Sequence, residues 1–275
     1  MMKKVQRSAF SAPKVVLAAT HHDPDGRLYE QTAHVLPVLS GAFDGLAVQA
    51  TPATQDHSLS LLRASGALVR RETSDRPVGL NDLGWSRRAA VELALELDAP
   101  AILFCDFDRA LHWAERYPEE LAHVVARTAD YDFTVLGRTK RAFESHPRIQ
   151  RDTEAIVNHV YATISGRDWD VTAAARVLSR RAAEAILSGC PDESIGTDVS
   201  WPLFVERGGL TIGYIATEGL EFETADRFTD DIAAAGGLAC WIARLDADPH
   251  RWIQRLEIAR LEVEAALPYQ KRTEV

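Results

Sequence analysis

One nine-residue segment, AILFCDFDR at positions 101–109, limits the folds that this chain can adopt. It begins as an uninterrupted apolar run and then places two carboxylates, Asp106 and Asp108, one residue apart. A short apolar run bounded by polar residues is typical of an interior strand in a parallel sheet that is covered on both faces. Open α/β sheets bind their ligands at the carboxyl ends of such strands. We therefore predict that Asp106 and Asp108 lie at a ligand site.

The sequence before this segment alternates between strand and helix patterns. Strands are predicted at about 15–20, 46–50, 67–70 and 101–104, and helices at about 28–39, 55–65 and 85–97. The segment 71–84 contains Pro, Gly and Asn and is predicted to be a loop. This βαβαβ order predicts a parallel sheet with right-handed crossovers, so the expected fold class is α/β.

The second half of the chain has a different pattern. Helices are predicted at about 115–129, 152–164, 173–187, 201–206 and 249–267, and strands at 132–137 and 211–215. The chain shows no internal repeat and no low-complexity linker. One compact domain is therefore favoured over two.

Composition restricts the partners and the compartment. The net charge of -9 argues against a general nucleic-acid surface, because phosphate binding needs a concentrated basic face. Three widely spaced cysteines indicate reduced thiols in a cytoplasmic protein rather than a disulfide framework or a CxxC zinc site. The basic N-terminus is not followed by a long apolar segment, so we expect no signal peptide and no integral membrane contact. A homodimer is compatible with the sequence, which does not determine the oligomeric state.

Two interpretations of the Asp pair do not involve sugar chemistry. The first is that both acids are solvated loop residues that cap the following helix. The second is a haloacid-dehalogenase-like phosphatase, since that family also places Asp-x-Asp after an apolar strand and uses the first Asp as nucleophile. That family normally opens its domain with this strand and continues with a hydroxyl residue. Here about 100 residues precede the pair, and Arg109 and Ala110 follow it.

Three further segments occur in the order GLNDLGWSRRAAVELALELDAPAILFCDFD, then GRDWDVTAAARVLSRRAAEAIL, and then GTDVSWPLFVERGGLTIGYI. Their order and spacing resemble those of nucleotide-sugar glycosyltransferases of the GT-A type, of the family-2-like and mannosylglycerate- or glucosylglycerate-synthase-like kind. The resemblance covers about residues 14–230 and implies a GT-A fold, with a mostly parallel Rossmann-like sheet flanked by helices. It implies a tail at 1–13 and a single domain at 14–245, divided into a nucleotide-binding half (14–110) and an acceptor half (111–245). A C-terminal helix and tail would occupy 246–275.

The resemblance implies transfer of a sugar from a nucleotide-diphospho-sugar to an acceptor hydroxyl with help from Mn²⁺ or Mg²⁺. Such hard cations need only one or two carboxylates plus phosphate oxygens and waters. By resemblance Asp108 is the direct ligand, and Asp106 binds the ribose or a metal-bound water. A third ligand, commonly a His, would come from 218–228, which contains no histidine. Glu223 is our candidate there, and a surface acid without a metal role is the alternative.

Position alone suggests further binding residues. Thr20 and His21, at the end of the first strand, are expected to hold the nucleotide. Gly79 and Asn81 in the loop, and Arg87 or Arg88 in the next helix, are expected near the base or the pyrophosphate.

On the acceptor side, Asp198 is either the base that deprotonates the acceptor hydroxyl or a helix cap. Asp168 and Asp170 are lesser candidates for the same cleft. A non-catalytic nucleotide-binding protein of the same fold remains a further alternative.

Overall fold

The computed structural model describes residues 14–73 and 79–270, and these residues form a seven-stranded sheet with helices on both faces. The predicted tail at 1–13 and the last five residues, 271–275, lie outside the described residues. The strands are β1 Val15–His21, β2 Gly45–Ala50, β3 Leu68–Arg71, β4 Ala101–Asp106, β5 Phe133–Arg138, β6 Ala175–Ser179 and β7 Ile212–Thr217. Their order across the sheet is β3-β2-β1-β4-β6-β5-β7.

Strand direction confirms the prediction for the first half of the chain. Strands β3, β2, β1 and β4 are parallel neighbours, and β5 and β7 are also parallel. Strand β6 runs antiparallel between β4 and β5. The carboxyl ends of β1 to β4 therefore lie at one edge of the sheet, and β6 begins at that same edge.

The helices form two layers. They are α1 Tyr29–Ala42, α2 Asp56–Ala64, α3 Leu83–Leu95, α4 Phe107–Arg116, α5 Pro118–Ala126, α6 Lys140–Glu144, α7 Arg148–Ser165, α8 Arg180–Gly189, α9 Thr197–Arg207, α10 Thr229–Ala235, α11 Leu238–Ala247 and α12 Pro249–Ala266. Alternate residues of β1 face opposite cores, as a pleated strand requires. Leu17 packs in the core with α1, α2, α4 and α5, and Ala18 packs in the core with α3, α7, α8, α9 and α12.

No helix within residues 14–73 and 79–270 has the length and apolar character that a membrane crossing needs.

One predicted element is wrong in type, and another has different bounds. The predicted helix at 173–187 is in fact strand β6, of sequence ARVLS, followed by α8, because residues 175–179 pair with β4 on one side and with β5 on the other. Packing inside the sheet overrides the helical preference of alanine. The helix predicted at 115–129 is present as α5, with Glu119 and Glu120 in its first turn, but it starts at Pro118 because proline fits the first turn of a helix. Helix α4 begins directly after Asp106, so Asp108 lies in its first turn.

Helices α10 and α11, with a 3-10 turn at Glu223–Phe228, were not predicted. They precede α12, which packs against helices α7 and α9. The division of the chain at residue 245 stays a prediction.

Gly84 allows the start of α3 to contact the chain that precedes α9. A Cβ atom at this position would lie 2.3 Å from the carbonyl oxygen of Ser194 and 2.7 Å from the Thr197 side chain. Backbone hydrogen bonds from Trp85 to Glu193 and from Ile195 to Leu80 join the same two segments. The glycine therefore brings the two halves of the chain together beside the sheet edge.

We predict that Gly84→Ala lowers the free energy of unfolding by about 1–3 kcal/mol, because a backbone carbonyl must move to admit the methyl group. Chemical denaturation measures this change. Gly41→Ala is the matched control. It lies in a helix, and a Cβ atom there would meet no other part of the described chain within 4 Å, so alanine is expected to be neutral or stabilising. Equal stability of the two variants would contradict the prediction.

Candidate functional site

A cavity of about 540 Å³ opens at the carboxyl edge of β1 to β4. Its volume is typical of sites for small molecules and cofactors. The residues that line it come from the strand ends, the loop before α3, the turn before α10 and the C-terminal helix α12: Thr20, His21, His22, Gln49, Ala50, Thr51, Pro52, Glu72, Gly79, Leu80, Asp82, Leu83, Trp85, Ser86, Asp106, Asp108, Arg227, Gln254 and Ile258. The cavity therefore lies where the sequence predicted a ligand site.

Asp106, the last residue of β4, is held from two sides. The hydroxyl of Thr20, its neighbour in register on β1, donates a hydrogen bond of 2.5 Å to Asp106 Oδ1. Arg87 Nη2 lies 3.8 Å from Asp106 Oδ2. The carboxylate stays partly exposed in the cavity wall, with 28% of its side chain accessible.

Asp108, in the first turn of α4, also has a contact at each oxygen. Its Oδ1 accepts a hydrogen bond of 2.9 Å from the backbone N–H of Arg109. Its Oδ2 lies 3.3 Å from Nη2 of Arg227, which belongs to the turn before α10. The strand end and the start of the helix thus present two carboxylates to the same cavity.

The predicted three-ligand metal set is not assembled. Glu223 is buried and faces Arg109, whose Nη2 lies 3.3 Å from Glu223 Oε1. Within the described residues, no three His, Cys, Asp or Glu side chains lie close enough to hold a metal ion. Asp106 and Asp108 nevertheless fit a hard divalent cation, since such an ion can take one or two carboxylates and complete its shell with phosphate and water.

His21 forms part of the cavity wall although its side chain is nearly inaccessible. Its ring packs edge-on against Phe107 with 4.8 Å between the centroids. Both ring nitrogens are buried and have no hydrogen-bond partner among the described residues. Burial lowers the pKa of His21 to about 4, so the imidazole is neutral at physiological pH.

Asp198 is the centre of a buried ion-pair cluster beneath the cavity. Its Oδ1 accepts a hydrogen bond of 2.8 Å from Arg87 Nη1 and another from Arg176 Nη2. All three side chains are at most 3% exposed. Burial lowers the pKa of Arg176 to about 10, a value at which the group is still charged at neutral pH. The cluster joins α3, β6 and α9, and through Arg87 it reaches Asp106.

This arrangement bears on two of the predicted roles. Asp198 and Arg87 are absent from the described lining of the cavity and face each other instead. That placement favours a positioning role, in which Asp198 orients Arg87 and Arg87 supports Asp106. The roles of Asp198 as a general base and of Arg87 as a phosphate ligand stay predictions.

The remaining predicted residues fall in different places. Gly79 lines the cavity, whereas Asn81 is exposed and outside the described lining. Arg88 donates hydrogen bonds to three carbonyls at the end of α8. Asp170 is bound by Arg138 and Asn158, and this network holds its pKa well below the usual range.

Sequence reasoning missed Arg227, Gln254 and Ile258 as cavity residues. Arg227 stands in the segment that was searched for a histidine ligand, so a search for any cationic or ligating side chain there would have found it. Gln254 and Ile258 lie on α12, and their position depends on how that helix folds back over the sheet. No local pattern in the sequence signals that approach.

Comparisons with known proteins identify the fold. No protein-family profile matches the chain, and no curated protein matches its sequence. Solved structures do match, among them glucosyl-3-phosphoglycerate synthase from Mycobacterium tuberculosis in complex with Mg²⁺ and UDP: identity is 15%, the TM-score is 0.50, and the match covers 74% of this chain and 69% of that chain. The same enzyme in complex with Mn²⁺, UDP and glucosyl-3-phosphoglycerate matches at 14% identity and a TM-score of 0.50, over 78% and 76% of the chains. The predicted GT-A fold is thereby confirmed.

We predict that His21 makes the protein sensitive to acid. Its pKa is about 4 in the folded protein and 6.5 ordinarily, so the unfolded chain binds a proton more readily as the pH falls. Stability from the neutral imidazole is complete above pH 6.5 and is lost between pH 6.5 and 4, by about 3 kcal/mol at most. In denaturation series over this window, His21→Asn should lose less stability than the wild type. His34→Asn, which removes an exposed imidazole, is the control, and equal slopes for His21→Asn and wild type would refute the prediction.

We further predict that Asp198→Asn lowers the free energy of unfolding by about 3–5 kcal/mol, because two buried guanidinium groups then share no carboxylate. Urea denaturation measures the loss. Asp168→Asn removes an exposed carboxylate in the same half of the chain and should stay within about 0.5 kcal/mol of the wild type. Wild-type stability of Asp198→Asn would show that the cluster does not support the fold.

Proposed function

We propose that this chain is a glycosyltransferase that moves a sugar from a nucleotide-diphospho-sugar to an acceptor hydroxyl with the help of a divalent cation. One observation carries the proposal: Asp106 and Asp108 both open into a cavity at the carboxyl edge of the parallel strands. Ligands of open α/β sheets bind at this edge. Two carboxylates in a nucleotide-sized cavity suit a metal-bridged diphosphate better than they suit a bare anion.

The donor is proposed to lie along the ends of β1, β2 and β3. Thr20 and His21, which line the cavity, would bind the nucleotide. Gly79 would let the backbone approach the ligand closely. Support for a nucleoside diphosphate comes from the two mycobacterial structures of the same fold, which contain UDP.

The proposed cation is Mn²⁺ or Mg²⁺, which are the ions in those two structures. Asp108 and Asp106 would hold it, and the bound ion would neutralise charge on the diphosphate leaving group. The residues of this chain hold the carboxylates in place beforehand. Thr20 fixes one oxygen of Asp106, Arg87 lies behind the other, and the N–H of Arg109 orients Asp108.

The acceptor is not specified by the residues that line the cavity. The structure with glucosyl-3-phosphoglycerate makes 3-phosphoglycerate a reasonable member of a panel of test acceptors. A general base is required if the displacement inverts the sugar carbon. Asp198 remains the predicted base, although its two arginine partners compete for that carboxylate.

Localisation and larger partners also stay predictions. We infer a cytoplasmic protein from the cysteines, since Cys105, Cys190 and Cys240 are all free thiols. We expect that the protein does not bind nucleic acid. A homodimer is compatible with its sequence.

A thermal-shift screen with nucleotide sugars, with and without Mn²⁺, tests the proposal. Ligand binding to the folded state raises the apparent melting temperature by mass action, so a donor should give a shift that depends on the cation. Release of free diphosphate would separate an enzyme from a non-catalytic binding protein of the same fold. The GT-A fold argues against the phosphatase alternative. Hydrolysis of p-nitrophenyl phosphate without any nucleotide-sugar binding would be the result that supports it.

We predict that Asp108→Asn abolishes sugar transfer and weakens UDP binding in the presence of Mn²⁺ by at least about tenfold, because one ligand charge is lost. Calorimetry measures the binding. The control variant is Asp130→Asn, because Asp130 is exposed and forms an ion pair with Arg127. This variant should bind UDP and Mn²⁺ as the wild type does. If Asp108→Asn bound UDP and Mn²⁺ normally, the metal assignment would be wrong.

A further inference from the structure

Arg227 extends from the turn before α10 into the cavity and contacts two elements of the sheet edge. Its Nη2 donates a hydrogen bond of 2.8 Å to the carbonyl oxygen of His22, just after β1. The same nitrogen lies 3.3 Å from Asp108 Oδ2 on α4. The side chain is 23% exposed and lines the cavity. The positive charge of Arg227 is thus in contact with the Asp108 carboxylate, which is proposed to bind the cation.

The guanidinium group keeps further donor capacity. Arginine has five N–H donors, and the Nε of Arg227 is buried without a hydrogen-bond partner among the described residues. The backbone of the same residue is anchored, because its carbonyl accepts a hydrogen bond of 3.4 Å from Arg27, which also pairs with Asp231. The turn can therefore stay in place while the end of the long side chain changes its partner.

One carboxylate oxygen of Asp108 cannot contact Arg227 and bind a divalent cation at the same time. Its Oδ1 is engaged by the N–H of Arg109, and its Oδ2 is the atom that faces Arg227. A cation that binds Oδ2 must displace the guanidinium and is repelled by it at short range. A nucleoside diphosphate supplies a new partner for Arg227, because a planar guanidinium can bind two phosphate oxygens at once.

We infer that Arg227 is a diphosphate-binding residue which, in the ligand-free protein, occupies the metal-binding carboxylate Asp108. A cation without nucleotide competes with Arg227 for Asp108. When the nucleotide is also present, Arg227 binds its diphosphate and leaves Asp108 to the cation. Nucleotide and cation therefore enhance each other's binding, and this coupling is reciprocal. The inference rests on the proposed function and adds to it a residue that the sequence pattern did not assign.

Calorimetric titrations of the full chain test this inference, with Mn²⁺ alone and with UDP in the presence of Mn²⁺. In Arg227→Gln the repulsion is removed, so Mn²⁺ alone should bind about tenfold more tightly, while UDP should bind about tenfold more weakly. The opposite signs are decisive, because mere damage to the site would weaken both. Arg227→Lys keeps the charge but not the two-pronged geometry, so Mn²⁺ affinity should stay near the wild-type value while UDP binding weakens.

Arg167→Gln is the control, since Arg167 has similar exposure and pairs with Glu206 away from the cavity. It should leave both affinities unchanged. If Arg227→Gln binds Mn²⁺ and UDP as the wild type does, or loses affinity for both, the inference is overturned while the proposed function survives. If the wild type binds no UDP in the presence of Mn²⁺, the proposed function and this inference fall together. Thermal unfolding checks that each variant is folded, and Arg227→Lys carries the test if the Gln variant is not.

Discussion

The contact on which the candidate site depends is the buried ion-pair cluster of Asp198 with Arg87 and Arg176. Two guanidinium groups taken out of water are costly, and one carboxylate placed between them offsets part of that cost. The cluster also has a geometric effect, because it joins helix α3, which precedes β4, to strand β6 and helix α9. Gly84 permits the close approach that this requires. Without Asp198 and Arg176, Arg87 would keep, within the described part of the chain, only its hydrogen bond of 2.9 Å to the Thr197 hydroxyl and its contact with Asp106.

Charge at the sheet edge is arranged in two layers. The upper layer consists of Asp106 and Asp108, which face the cavity and are only partly buried. The lower layer contains buried groups that are paired with one another, such as Arg109 with Glu223 and Arg138 with Glu154. Because burial raises the pKa of Glu223 while Arg109 opposes that rise, this carboxyl depends on its partner for charge. The lower layer thus holds the backbone around the site, while the upper layer remains available to a ligand.

The first half of the fold follows from local pattern, and the second half does so less well. Apolar runs at β1, β2 and β4 are long enough to identify buried strands, and the order of helices between them determines a parallel sheet. Strand β6 could not be predicted in the same way, since the longer segment 173–187 is rich in alanine and resembles a single helix, whereas residues 175–179 form a strand between β4 and β5. The start of α4 was also missed, because the helix begins at Phe107, between the two members of the Asp pair, directly after the end of β4.

The sequence by itself determined that two carboxylates would lie at the carboxyl end of a buried strand in a parallel sheet. This follows from the continuous apolar run that ends at the Asp pair, a pattern that is local and depends on few residues. Only the tertiary structure decided which charged groups face those carboxylates. Glu223, a predicted ligand, turned to Arg109, and Arg227 approached Asp108 from a distant part of the chain. Such pairings depend on how the turn before α10 and the helix α12 pack over the sheet. Contacts between segments so far apart in the chain produce no periodic pattern in the sequence, so they could not be predicted from it.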